Sequence, residues 1–110
     1  MSLVSYDISL EIDTGGPEPA QVGGDWGYTS NCGPMWREAG ANLAEFHGKT
    51  ARECAPTLSA AIQRMRAEPE TFIAMNPQNG WGSYESLVPA LDDLLDLFQR
   101  HPLATVRVSR

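Results

Sequence analysis

The sequence predicts a small α+β domain: a short sheet formed by the N- and C-terminal strands, covered on one face by three main helices. Three observations predict it. The chain opens on a strictly alternating apolar segment, closes on another, and carries three stretches of helical apolar spacing between them.

In "VSYDISLEID", Val4, Tyr6, Ile8, Leu10 and Ile12 alternate with Ser5, Asp7, Ser9, Glu11 and Asp13. Period two describes a strand with one buried and one wet face. In "ATVRVS", Ala104, Val106 and Val108 alternate with Thr105, Arg107 and Ser109. The two are expected to pair, with Arg107 beside the acidic outer face of the first strand. "DTGGPEPAQVGG" carries Gly and Pro too densely for regular structure and is expected to be irregular.

Three helices are expected next. "GPMWREAGANLAEFHG" places Met35, Ala39, Leu43 and Phe46 at helical spacing, with Pro34 at a first helical position and Gly48 as stop. "TARECAPTLSAAIQRMRAE" opens with a Thr50–Glu53 capping box and carries the stripe Ala51, Cys54, Leu58, Ile62 and Met65. "SYESLVPALDDLLDLFQRHP" begins at Ser83 as N-cap and carries Leu87, Leu91, Leu94, Leu95 and Phe98. "PETFIAMN" reads as a short helical turn. Pro56 and Pro89 each remove one backbone hydrogen bond and are expected to bend their helices. Two strands alone make no stable sheet, so the helices must cover their apolar face.

At 110 residues the chain has the length of one domain, 1–110, with 42% hydrophobic and 20% charged residues. Fourteen acidic side chains against eight basic ones give a net charge of −6. Binding a phosphate backbone or an anionic membrane surface needs clustered Lys or Arg, so neither nucleic acid nor membrane is an expected partner. The sequence shows neither a signal peptide nor an apolar run of membrane-spanning length, and it reads as cytoplasmic. Cys32 and Cys54 are then expected to be free thiols.

"YTSNCGPMWREAG", "MNPQNGWGSYE" and the terminal "HPLATVRVSR" together resemble a family of small uncharacterised proteins found in bacterial, especially actinobacterial, and phage genomes. The resemblance covers roughly the last three quarters of the chain. It implies a soluble, cytosolic protein and brings no activity, cofactor or catalytic residue with it.

The candidate site comes from the residues. "DWGYTSN" (25–31) and "NGWGSYE" (79–85) are both polar Gly/Trp segments that run into a helix start. A helix N-terminus exposes unpaired N–H groups, glycines admit a ligand to the backbone, and Trp or Tyr offers a stacking face. If the two segments meet, Trp26, Tyr28, Thr29, Asn31, Arg37, Asn76, Asn79, Trp81 and Tyr84 surround a pocket suited to a polar or nucleotide-like small molecule. The plainer reading makes Asn-Pro and Asn-Gly turn formers, the Asn and Ser residues caps, and Trp81 a lid on the core.

Other constellations carry less. In "DDLLD", Asp92 and Asp96 share a helix face, as a Mg²⁺ site would need, but all three aspartates lie opposite the leucine stripe, where a solvated face belongs. Cys32, His47, Cys54 and His101 match no compact zinc spacing, and no metal or cofactor is expected. Cys32 and His47 fall at opposite ends of one expected helix, too far apart for a dyad. No Walker loop, Rossmann glycine pattern, Gly-x-Ser-x-Gly or His-Glu-x-x-His occurs.

The expected function is a small binding protein, more a binder than an enzyme. The alternative is a protein–protein interaction or homo-oligomeric protein without a small-molecule site. A metal-dependent phosphohydrolase using the aspartates comes third.

Overall fold

The computed structural model describes residues 5–110; Val4, assigned above to the first strand, lies outside the described residues. The fold is α+β. Strand β1 (Ser5–Ile12) lies between β2 (Ala20–Thr29) and β3 (Thr105–Ser109) in an antiparallel sheet of order β2-β1-β3. Helices α1 (Gly33–Ala39), α2 (Ala51–Ala67), α3 (Pro69–Ile73) and α4 (Tyr84–Arg100) complete it.

The two terminal strands pair as their alternation requires, with Ile8 opposite Val108 and Leu10 opposite Val106. Tyr6, Ile8, Leu10 and Val106 are buried, while Asp7 and Arg107 face water. Ser9 is opposite Arg107 in the register, and the Arg107 guanidinium reaches diagonally to Glu11 at 3.0 Å. Burial of each large apolar side chain stabilises by about 1.5–3 kcal/mol, whereas an exposed ion pair adds about 0–1.

The sheet has three strands rather than two, because the segment expected to be irregular supplies the second half of a hairpin. Val22, Trp26 and Tyr28 lie opposite Leu10, Ile8 and Tyr6, on the face directed at the helices. Between Ile8 and Leu10 the register shifts, so β2 fits three residues, Gly23 to Asp25, against Ser9. That bulge keeps Val22 and Trp26 on one face, but its Gly23, Gly24 and Asp25 carry no apolar side chain, which hides the strand in the sequence. Gly23 has φ +69°, and a Cβ there would lie 2.4 Å from Leu97 Cδ1. Glycine is therefore required by both backbone conformation and close approach to α4.

The first expected helix is also corrected. It ends at Ala39, with Gly40 in the left-handed region at φ +107°. Asn42 then caps a 3-10 turn at Leu43–Phe46 by accepting the Ala44 N–H at 3.3 Å. Met35, Ala39, Leu43 and Phe46 are all buried as expected, but on two short elements. His47 consequently lies beside β3, where its Nδ1 accepts the Val108 N–H at 2.9 Å.

The longer helices follow the sequence closely. The Thr50–Glu53 capping box is formed in both directions, and the five stripe residues of α2 are buried. Thr50 makes this cap hold Glu53 below the usual carboxylate range, first through its side-chain and then its backbone hydrogen bond. Ser83 caps α4, whose Leu87, Leu91, Leu94 and Phe98 are buried while Leu95 is partly so. Phe98 meets Phe46 edge to face, with ring centroids 6.0 Å apart. No helix among the described residues is long and apolar enough to cross a membrane.

Candidate functional site

The two Trp-Gly segments meet. Tyr28 leaves β2 toward the start of α4, where its hydroxyl accepts the Ser83 N–H at 3.1 Å and hydrogen-bonds to Ser86 Oγ. Gly82 packs against the same wall: a Cβ there would lie 2.8 Å from both Cys32 Sγ and Thr29 Cγ2. Gly80 and Gly82 have φ +78° and +93°, so the chain between them turns in a way only glycine accommodates readily. Trp81, between them, is 48% exposed, and its N–H is held at 2.9 Å by Asn79 Oδ1.

The asparagines are fixed locally. Asn76 Oδ1 accepts the Tyr84 N–H at 2.7 Å and so caps α4 from outside. Asn31 and Thr29 bond to each other at 3.0 Å within the turn that enters α1. Tyr84 anchors to α2, its hydroxyl donating to Met65 O at 2.8 Å. Arg37 is exposed and folds back over Gly33, with its Nη1 2.8 Å from where a Cβ there would lie.

Trp26 differs from Trp81. It lies on β2 rather than in a loop, is 7% exposed, and donates its indole N–H to Ala90 O at 2.7 Å. Its ring stacks on Tyr28 with centroids 6.4 Å apart. Tyr28 thus links the buried tryptophan to the Ser83 end of the exposed loop. Ser86, outside the 79–85 segment singled out in the sequence, joins this cluster; the Ser-x-x-Ser spacing of a helix cap was the available signal.

The thiols do not suit nucleophilic work. Cys32, expected just ahead of a helix where a thiolate is favoured, is buried, and burial pushes its thiol up. Burial likewise pushes Cys54 up to about 11. Burial also raises Tyr28, so at neutral pH its hydroxyl is a proton-bearing hydrogen-bonding group. Asp92 is ion-paired with Arg66, and Asp96 with Arg100 at 2.9 Å. Among the described residues, no group of three or more His, Cys, Asp or Glu side chains is placed to hold a metal ion.

Fold and site together define a two-layer α+β protein with an aromatic loop locked against a strand end. Comparison of the chain with protein-family models, curated proteins and solved structures finds no match.

Proposed function

We propose that the protein is a small binding protein that recognises a polar, planar, nucleotide-like molecule where residues 28–31 meet residues 79–86. One observation carries this reading. Trp81 stays half exposed although its backbone is pinned on both sides, its N–H by Asn79 Oδ1 and the next residue, Gly82, by close approach to Tyr28, Thr29 and Cys32. A half-exposed indole on a loop with a pinned backbone offers a stacking face. The N–H groups of Tyr84 and Ser86 are already bonded to Asn76 and Ser83. Recognition therefore falls to the indole face and the neighbouring Thr29, Asn31, Ser83 and Ser86 side chains rather than to the helix terminus. The aspartates give the phosphohydrolase reading no support, since Asp92 and Asp96 each hold an arginine.

Tryptophan fluorescence tests this directly. Trp26 and Trp36 are buried, so acrylamide quenching reports mainly on Trp81. Adenosine, uridine and their monophosphates serve as probes. At least one is expected to protect Trp81 from quenching, and Trp81→Ala is expected to remove the binding measured by calorimetry. Unchanged quenching with every probe, together with native mass spectra of cell-purified protein showing no retained small molecule, would overturn the reading.

A further inference from the structure

The two edges of the sheet are treated differently. Beside β3, the segment His47–Thr50 continues the ladder: Gly48 N–H bonds to Val106 O at 2.9 Å, and Val106 N–H to Lys49 O at 2.8 Å. Thr50 and Thr105 form a bridge. The outer edge of β2 has no such cover. Among the described residues, no other strand pairs with it and no backbone hydrogen bond from outside the hairpin reaches Ala20–Thr29. An edge of unpaired N–H and C=O groups is a template for another extended chain.

A groove of about 470 Å³ runs along this edge between β2 and α4. Trp26, Ala90 and Leu97 contribute its apolar lining. Asp25, Asp93 and Asp96 line it too, against a single arginine, Arg100, which is already bonded to Asp96. Asp93 has no ion-pair partner among the described residues. The groove therefore combines free backbone hydrogen-bonding groups, an apolar floor and excess negative charge.

We infer that the β2 edge is a docking site for an extended basic peptide, which adds as a fourth strand in the groove between β2 and α4. The charge selects this occupant. A second copy of the chain would bring its own net charge of −6 and the same three aspartates to the contact. An added strand directs alternate side chains at α4. Lys or Arg at those positions lays its aliphatic stem over Trp26, Ala90 and Leu97 and carries its charge to Asp93 and Asp96. The Gly23–Asp25 bulge interrupts regular pairing, and the β2 part of the groove is confined to residues 24–27, so a short segment suffices. The groove residues lie outside the Trp81 surface proposed above, which begins at Tyr28.

The probe is a fluorescein-labelled octapeptide of alternating Arg and Thr, read by anisotropy and by amide shifts of the full-length protein. Three companions go with it: the Glu-Thr octapeptide, the Arg-Thr octapeptide N-methylated at alternate residues, and the Asp93→Asn/Asp96→Asn variant. Saturable binding is expected for Arg-Thr alone, with amide shifts in residues 24–29 and 90–100. A loss of about tenfold or more is expected on N-methylation and in the variant. Comparable binding of the Glu-Thr or N-methylated peptide, shifts mapping elsewhere, or no binding at millimolar peptide would each overturn the proposal. So would concentration-dependent dimerisation through these same amides, which would make a second copy the occupant.

Discussion

Three tryptophans occupy three environments, and their substitution should separate them. Trp36 is fully buried and meets Tyr6 edge to face at 5.0 Å; Trp36→Ala is expected to cost about 3–5 kcal/mol in urea unfolding. Trp81 is half exposed, so Trp81→Ala should cost about 1 kcal/mol or less. An equal loss at both positions would make Trp81 a core lid after all. The sequence left this point open because Asn-Gly-Trp-Gly is compatible with either outcome; exposure depends on Gly82 approaching Cys32 and Thr29, residues distant from it in the chain. Cys54 supplies a pH test at the same scale. Its folded-state pKa is raised by burial, so the stability from keeping the thiol neutral is complete below the unfolded value. It is lost as pH rises toward about 11. The unfolding free energy should therefore fall above pH 9, and Cys54→Ala should flatten that slope relative to the parent. Tyr28, also raised by burial, contributes a slope of the same sign, so the parent-minus-variant difference is the quantity to measure.

At the scale of elements, legibility followed pattern regularity. β1 and β3 were readable because their central side chains obey period two, although Ile12, expected on the buried face, is exposed at the strand end, and α2 because its capping box and apolar stripe agree. β2 was not, because its bulge is built from Gly23, Gly24 and Asp25, which carry no apolar side chain to mark the alternation. The same device predicts a sensitive position. Gly23→Ala imposes φ +69° on a residue with a Cβ and drives that atom into Leu97. A loss of about 1–3 kcal/mol is expected, whereas Gly24→Ala, which meets nothing within 4 Å, should cost much less. Equal effects would deny the bulge its role in seating β2 on α4. The first helix was overextended because its apolar spacing continues across Gly40 and Asn42, although those two residues are a stop and a cap. On α4, replacing Asp92, Asp93 and Asp96 together with Asn removes two exposed ion pairs, so the change in stability should stay within about 2 kcal/mol. A Mg²⁺-dependent rise in melting temperature of the parent, abolished by this triple change, would instead restore the metal reading.

At the scale of the whole molecule, the C-terminal segment joins parts that are distant in sequence. β3 pairs with β1 from Asp7 to Glu11, and on its other side holds Gly48 and Lys49. The turn before it serves α2: the Ala51 and Arg52 N–H groups, which a helix start leaves without internal partners, donate to Ala104 O and Pro102 O at 2.9 and 2.8 Å. Val106 and Ala104 are buried in the same core as Leu10, Leu58 and Phe98. Deleting residues 103–110 removes the ladder, one α2 anchor and two core side chains together. With about 1 kcal/mol per backbone hydrogen bond and about 1.5–3 kcal/mol for the buried valine, the loss reaches the 5–15 kcal/mol that holds a small domain folded. The truncated chain is therefore expected to lose its cooperative melting transition and to aggregate through the exposed edge of β1. Leu103→Ser is the matched control, because Leu103 is 76% exposed and its replacement should leave the transition in place. A truncated protein that melts with the parent would mean that β1, β2 and the helices form a self-sufficient core, and that the pairing of the chain ends contributes little to folding.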